Sequence, residues 1–498
     1  MDREIELKFL IAPEAADDIL TLLIGEGAVR QLDATYFDTE AHALRKAGFG
    51  LRVRDGEGGR KQTLKSASAG GIFARGEWET AIAGPGPDDA ALAGTPAAGV
   101  VNGEVLRPVF TTRVERTVRM IRRGETVIEA VVDRGELIGE QRRAPVCELE
   151  LELKSGPASA LFDLARDLAA RAALRLSLVS KAERGYALAM TAEPAETPRR
   201  ASARLEPDMT VGQALQAIGR AALSHLCASV EALRERPGPE GVHQLRVAVR
   251  RARVMLKIFK PLAGDDAAKG LVRDLKWLAG ELDAARDLDV FVAEVWRPAT
   301  ERDPAPDLAA FGRALLAAQT AAYLRMEVAL ESPRQRSLLL ELAAWLEAGA
   351  WTTDPALAAC RDGSAAAFAA ASLSHLRHVV VKRGAALDSL DRETRHKLRL
   401  KGKTLRYAAE DLSGLFPEHP KRVERLIAAS KAFQDALGRL NDQAARAELA
   451  REVAMTNGEA QAAFAAGRLT AEPDADAGMA DALAARDALA DAKAFWRA

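Results

Sequence analysis

Residues 4–9 alternate charged and apolar side chains: Glu4, Glu6 and Lys8 on one parity, Ile5, Leu7 and Phe9 on the other. Because a strand turns successive side chains to opposite faces, this predicts a β-strand with one charged and one apolar face. Cys147 to Leu153 repeats the device, with Glu148, Glu150 and Glu152 opposite leucines. Between these two segments lie further runs of the same period. Leu51-Arg52-Val53-Arg54 puts two arginines on one face, Gln62-Thr63-Leu64-Lys65 ends on a lysine, and Glu77 and Glu79 flank Trp78. Phe110 to Met120 carries Arg113, Arg116 and Arg119, and β-branched Val127 to Asp133 sets Glu129 and Asp133 on one parity. Strands with an apolar outside and an inside of mixed acids and bases predict a closed antiparallel barrel around a polar lumen.

The period changes near residue 190. One helix is expected before it, at Ser159 to Ala173, and the Gly84 to Gly103 segment reads as an excursion between strands, helical at Asp88 to Ala93. Ala192 to Pro207 is rich in Pro, Glu, Arg and Ser and reads as a linker. Beyond it, long amphipathic runs dominated by Ala, Leu, Arg and Glu are cut by Pro237-Gly238-Pro239, Pro304-Ala305-Pro306 and Phe416-Pro417, the pattern of a helix bundle. The expected organisation is a β tunnel over 1–191, a linker over 192–207, a bundle over 208–452 and an Ala-rich helical tail over 453–498. In class this is a multidomain chain, α+β followed by all-α.

Carboxylates stacked along one strand face repel unless a cation lies among them, so the acidic strands read as a metal site. Hard divalent cations take carboxylate oxygens, while Arg and Lys take phosphate oxygens. A lumen that offers both suits a metal-bound polyanion. Glu4-x-Glu6-x-Lys8, Tyr36-Phe37-Asp38-Thr39, Gly50-Leu51-Arg52-Val53-Arg54, the Glu148-x-Glu150-x-Glu152 strand and Ser180-Lys181-Ala182-Glu183-Arg184-Gly185-Tyr186 resemble the CYTH domain, the triphosphate tunnel metalloenzyme family. The resemblance covers about the first 190 residues. It implies an eight-stranded antiparallel tunnel that hydrolyses or cyclises triphosphates with Mg2+ or Mn2+. It further implies Glu4, Glu6, Asp133, Glu148, Glu150 and Glu152 as metal ligands. Lys8, Arg52, Arg54, Lys65, Arg116 and Lys181 then hold substrate, and Glu4, Glu6, Lys8 and Glu150 stand closest to the chemistry.

The helical half contains an internal repeat. One copy runs from His243 through Arg246, Arg250, Arg253 and Lys257 to Arg286-Asp287-Leu288-Asp289; the other runs from His396 through Arg399, Lys403 and Arg406 to Asn441-Asp442. Each is expected to pass from a basic helix to an acidic turn after a second helix, with the two copies packed about a pseudo-twofold axis. The three- and four-residue spacings place the bases on one stripe per helix. His243 to Lys260 holds six Arg/Lys and no acid, and so does Arg395 to Arg406, so neither stripe is neutralised by its own helix. Two facing stripes make a groove of positive potential. A solvated basic face is the ordinary alternative, and it is preferred for His375, His378, Lys382 and Arg383. Tyr407 and Trp277 read as packing residues. The half resembles the CHAD domain, a helical, histidine-containing module associated with polyphosphate. The resemblance implies His243, Arg246, Arg250, Arg253, Lys257, His396, Arg399, Lys403 and Arg406 as phosphate contacts.

Composition adds bounds. Seventy Lys and Arg against 71 Asp and Glu leave anion binding to local clustering. Three scattered cysteines fit a reducing cytosol and offer no zinc spacing. No apolar run spans a bilayer and none precedes the first strand, so a cytoplasmic chain is expected, associated with polyphosphate granules. The expected function is metal-dependent hydrolysis of tripolyphosphate by the tunnel, with long-chain polyphosphate held by the bundle. The alternatives are adenylate cyclisation, thiamine triphosphate hydrolysis, or a polyphosphate-binding adaptor without turnover. Specific nucleic-acid binding is disfavoured, because the stripes lack stacking aromatics. Oligomeric state is not legible.

Overall fold

The computed structural model describes residues 5–55, 59–66, 76–190, 203–457, 460–470 and 477–497, without the side chains of 441–444, 457 and 477. It divides into two compact units, 1–196 with 339–348 and 197–338 with 349–498.

The first unit holds nine strands: β1 (Ile5–Leu10), β2 (Glu26–Asp38), β3 (Phe49–Asp55), β4 (Lys61–Ser66), β5 (Glu77–Ala81), β6 (Arg107–Arg123), β7 (Thr126–Ile138), β8 (Arg143–Ser155) and the two-residue β9 (Arg175–Leu176). They form one sheet in the order β5-β4-β3-β2-β6-β7-β8-β1-β9, antiparallel at every ladder. Its helices are α1 (Ala16–Leu22), α2 (Ala43–Lys46), α3 (Asp89–Ala93), α4 (Ala98–Val101), α5 (Ala158–Ala169) and α6 (Lys181–Ala189). The helix expected at Ser159 to Ala173 is α5, and the one expected at Asp88 to Ala93 is α3, whose N-cap Asp88 accepts from Ala91 N at 3.0 Å.

Register decides which residues share a face. Lys8 pairs with Glu150, Glu150 with Val131, Glu148 with Asp133, and Asp133 with Arg116. Arg116 pairs with Arg30, Ala34 of the same strand face with Arg54, Tyr36 with Arg52, Gly50 with Lys65, and Lys65 with Glu77. One face therefore carries charged side chains from all eight longer strands. The other face carries the buried apolar residues: Leu7, Phe9, Leu149 and Leu151 lie on it, and on β2–β4 Phe37, Leu51, Val53 and Leu64 pack under Leu92 of α3 and Val101 of α4, while exposed pairs such as Arg113 with Asp33 occupy its solvent side. The sheet curls, because Lys65 of β4 acts electrostatically on Glu6 of β1, six places away in strand order.

Helix α6 closes onto the charged face. A capping box starts it, Ser180 accepting from Glu183 N at 3.1 Å while the Glu183 carboxylate accepts from Ser180 N at 2.7 Å. Its Tyr186 and Ala182 pack on Tyr36 and Phe110, whose rings stack at 4.4 Å. Gly185 lies so close to Phe110 that a methyl there would overlap the ring. The far end is fixed by Asp38, which is buried and accepts from Tyr186 Oη at 2.9 Å and from the N–H groups of Thr39, Leu44 and Arg45. The Tyr36-to-Thr39 motif is thus a structural joint between β2, α2 and α6.

The second unit holds α7 (Val211–Glu235), α8 (Pro239–Ile258), α9 (Asp266–Phe291), α10 (Arg297–Arg302), α11 (Pro306–Leu330), α12 (Pro333–Ala348, whose last ten residues fall in the first unit), α13 (Ala358–Arg361), α14 (Ala365–Gly384), α15 (Arg392–Leu412), α16 (Pro420–Asn457), α17 (Ala460–Thr470) and α18 (Ala477–Asp491). The proline breakers fall where expected: Pro239 and Pro306 each occupy the first turn of a helix. Two expectations are corrected. Arg286 to Asp289 lies inside α9 and Asn441-Asp442 inside α16, so the repeats end in helix rather than in acidic turns. Buried Asp289 is satisfied by Gln319 Nε2 at 2.7 Å and Tyr323 Oη at 2.9 Å, which removes the need for a turn. The tail boundary expected at residue 453 falls within α16, which continues unbroken to Asn457. Of the expected linker, 192–202 lies outside the described residues, and α7 begins at a Thr210–Gln213 capping box.

Gly185→Ala should destabilise the first unit by about 1–3 kcal/mol through overpacking against Phe110. Urea unfolding of the full chain checks this as a lowered midpoint of the transition that involves the sheet.

Candidate active site and basic groove

Asp133 of β7 and Glu148 and Glu150 of β8 converge: one oxygen from each lies within 4.8 Å of the others. Asp133 and Glu148 are 0% exposed. Three buried carboxylates at one point need positive charge. Lys181, at the first turn of α6, supplies its centre, with Nζ 2.7 Å from Asp133, 2.9 Å from Glu150 and also paired to Glu148. Arg116 of β6 forks onto Asp133 at 2.8 and 2.6 Å and reaches Glu150 at 3.3 Å. Lys8 lies 3.0 Å from Glu150 and 3.9 Å from both Glu148 and Glu6, and Arg184 pairs with the outer oxygen of Glu148.

The cations settle the protonation state. Burial pushes Asp133 and Glu150 up, but Lys181 with Arg116, and Lys8 at Glu150, outweigh it and hold both carboxyls below their usual range. Glu6 goes the other way, raised by burial and by the Glu150 charge. The carboxylate oxygens of Asp133, Glu148 and Glu150 are hard donors at one locus, which fits a divalent cation such as Mg2+ or Mn2+. Further along the same face, Arg54 is 3.3 Å from Glu79 and Lys65 is 3.0 Å from Glu77. The Nε of Arg52 is buried without a hydrogen-bond partner.

In the second unit the imbalance is reversed. Helices α8 and α15 pack together through Arg251, whose guanidinium pairs with Asp411 at 2.8 Å and with Glu410 while lying 4.7 Å over the Tyr407 ring. Lys257 of α8 faces Lys401 of α15, so the two basic stripes meet. Arg250, Arg253, Lys257 and Lys401 have no carboxylate partner among the described residues. Crowding shows in the acidity of His243, Arg246, Arg253 and Lys257. Burial, then Arg250, then Arg286 push Arg246 down to about 10, despite Asp287 nearby. Burial and Lys401 lower Lys257, burial and Arg250 lower Arg253, and burial with Arg286, Arg246 and Arg250 lowers His243.

These arrangements match two known families. The CYTH domain model matches residues 2–186 and the CHAD domain model residues 217–451. The chain is a CYTH domain followed by a CHAD domain. An inorganic triphosphatase of Haemophilus influenzae is 33% identical over 195 residues, which is 38% of this chain and 55% of the relative, so the match spans about half of that protein's length. The crystal structure of the CHAD domain from the plant Ricinus communis is 33% identical, covers 58% of this chain and 97% of that one, and superposes with a TM-score of 0.50.

Within the CYTH domain, the residues read from sequence separate into groups. Asp133, Glu148, Glu150, Lys8, Arg116 and Lys181 share one cluster. Glu6 lies at its edge, 3.9 Å from Lys8, and Glu152 lies apart from it, cross-strand from Glu6 and Glu129 and 2.6 Å from Lys154. Glu4 lies outside the described residues. Arg184 was missed: its signal is the three-residue spacing from Lys181, which places both on the sheet-facing side of α6. Within the CHAD domain, Arg406 is committed to Glu410 at 3.0 Å and Gln434 at 3.1 Å and stacks 4.5 Å from Tyr407, which identifies a packing role the stripe pattern did not reveal. The Arg399 guanidinium lies against Gly438 of α16. Tyr407 is buried, and Trp277 carries Arg334 at 4.4 Å, so both are packing residues as expected. Among the described residues no helix is long and apolar enough to cross a membrane.

Lys181→Met should lower stability by about 3–5 kcal/mol, because it strips the central cation from buried charges. Thermal melts with and without millimolar Mg2+ or Mn2+ check it: the metal should raise the variant's midpoint more than the parent's.

Proposed function

We propose that the CYTH domain is a metal-dependent inorganic triphosphatase that hydrolyses tripolyphosphate to pyrophosphate and phosphate, and that the CHAD domain binds polyphosphate. The observation that carries this reading is the single sheet face on which Asp133, Glu148 and Glu150 adjoin Lys8, Arg52, Arg54, Lys65 and Arg116. The name of the Haemophilus relative supports it. Tripolyphosphate is preferred over ATP or thiamine triphosphate because a linear phosphate chain needs charge and no base-recognition pocket.

Asp133, Glu148 and Glu150, with Glu6 at the margin, would hold Mg2+ or Mn2+, and Glu4 and Glu152 are proposed as further ligands from the sequence pattern alone. When bound there, such an ion offsets phosphate charge and acidifies a coordinated water. Arg52, Arg54 and Lys65 bind the phosphate chain and neutralise oxygens that no metal reaches. Lys8 and Arg116 bridge the two regions, so each can exchange a carboxylate for a phosphoryl oxygen as substrate enters. Glu150, kept ionised by its cations, accepts a hydrogen bond from the attacking water and orients it, with Glu6 beside it. Phosphoryl transfer is mainly positioning and electrostatics, so one such group is worth about 10²–10³-fold in rate.

Phosphate release from tripolyphosphate tests the reading, measured with Mg2+, with Mn2+ and with chelator. Glu150→Gln and Glu6→Gln should each lose about two orders of magnitude or more in kcat. Near-native turnover in Glu6→Gln would remove it from the site, and equal rates on ATP would shift the preferred substrate. No release, with polyphosphate bound tightly, would support the adaptor reading, and competition between polyphosphate and DNA separates that from general phosphate binding.

For the CHAD groove, a polyanion beside His243 favours the imidazolium, whereas burial and the Arg286, Arg246 and Arg250 charges disfavour it in the free protein. The bound pKa is therefore the higher one and binding takes up a proton. Polyphosphate affinity should rise as pH falls from 7.5 to 5.5, and His243→Ala should flatten that slope in calorimetric titrations.

A further inference from the structure

The wall of β3, β4 and β5 carries its charges in levels set by register. Gly50, Lys65 and Glu77 share the first level, Arg52, Thr63 and Glu79 the second, and Arg54, Lys61 and Ala81 the third. Successive levels are two residues apart along each strand, about 7 Å. Lys65 meets Glu77 on its own level at 3.0 Å, and Arg52 bonds to the Tyr36 hydroxyl. The third level sets two cations directly opposite one another and has Ala81 where an acid would complete the row. Its negative charge comes from the second level. Glu79 accepts from Lys61 Nζ at 2.5 Å through one oxygen, and from Arg54 Nη2 and Thr63 Oγ1, both at 3.3 Å, through the other. Two cations that share one carboxylate leave a positive charge over, and burial with the Arg52 charge lowers Arg54 despite Glu79. This end of the wall is also the wetter one. The Lys61 side chain is 43% exposed and that of Glu79 31%, whereas Asp133 and Glu148 are fully buried.

We propose that Glu79 is a specificity-determining residue that limits the length of phosphate chain the tunnel accepts. A chain long enough to reach Lys61 must displace a carboxylate, and a chain that stops short of it need not. This rests on the reading of the tunnel as a tripolyphosphate site and adds where that site ends. Glu79 engages Arg54 through Nη2, which leaves the rest of the guanidinium fork to face a short chain. Lys61 is a point charge, and among the described residues Glu79 is the carboxylate paired with it. The hydrogen bond from Thr63 holds the Glu79 carboxylate between the two cations. Ion pairs in contact with water are weakly held, so Glu79 can be displaced, but it repels every phosphate oxygen that approaches the third level. Discrimination by repulsion of the longer substrate needs no added contact to the shorter one.

Kinetics of the full chain on tripolyphosphate and tetrapolyphosphate test the proposal, with circular dichroism and thermal melts to confirm that each variant is folded. In Glu79→Gln, kcat/KM for the longer chain relative to the shorter should rise about tenfold, through KM, and the double variant K61Q/E79Q should cancel the gain. A carboxylate that only keeps two cations apart would change both substrates alike and leave the ratio where it was. Amine labelling of Lys61, read by mass spectrometry in chelator, follows the same contact without turnover. Tetrapolyphosphate should protect Lys61 at about tenfold lower concentration in Glu79→Gln than in the parent, and tripolyphosphate should protect it in neither. An unchanged substrate ratio in folded Glu79→Gln, or protection of Lys61 by tripolyphosphate, would overturn the assignment. A parent that hydrolyses neither chain would remove the triphosphatase reading, and the labelling then decides alone: easier protection by tetrapolyphosphate in Glu79→Gln upholds Glu79 as the limit, and equal protection overturns it.

Discussion

Charge brought out of water must be matched by charge of the opposite sign, and the CYTH domain is organised around one such requirement. Asp133, Glu148 and Glu150 come together because adjacent strands with aligned register leave them no choice of face. Their mutual repulsion is relieved by Lys181, Arg116, Lys8 and Arg184. Lys181 does most of this, and α6 must sit on the sheet for it to do so. The glycine against Phe110 and the Tyr186–Asp38 hydrogen bond are parts of that same arrangement. Residues far from the carboxylates are therefore constrained by them.

The CHAD domain states the opposite problem. Arg250, Arg253, Lys257 and Lys401 are gathered where two helices meet, with no acid to match them among the described residues, while Arg251, one residue from Arg250, pairs with Asp411 and Glu410 and locks the helices together. The division runs between neighbours on one helix: Arg251, turned into the bundle, is paired, while on the outward stripe Arg246 pairs with Asp283 and Arg250, Arg253 and Lys257 have no carboxylate partner among the described residues. An anion is the natural complement of such a face.

Much of this was legible in the chain. Period-two alternation gave the strands and their charged face, since parity is fixed by strand geometry. Three-four spacing gave the basic stripes, and proline pairs gave the helix starts. What was not legible depended on contacts between distant segments. Tyr186 reaches Asp38 across 148 residues, and nothing local marks either as half of a hydrogen bond. Arg406 fits the stripe by spacing, yet Glu410 and Gln434 claim it, the latter from another helix. The acidic ends of the repeats looked like turns because Asp is common there, but Gln319 and Tyr323 satisfy Asp289 within a helix. Local propensity yields where tertiary contacts supply the hydrogen bonds.

The position of Lys181 in the chain has a consequence for the order in which the domain is made. During synthesis Asp133, Glu148 and Glu150 emerge before their central cation, and β1, made first of all, must wait for β8 before Lys8 can reach Glu150. Contacts between the two ends of a domain are the slowest to close. A nascent chain that stops short of α6 has every long strand and an acidic centre that Arg116 and Lys8 compensate without Lys181 and Arg184. The tunnel is therefore finished from its last helix inward, and the acidic centre is the last part of it to become stable.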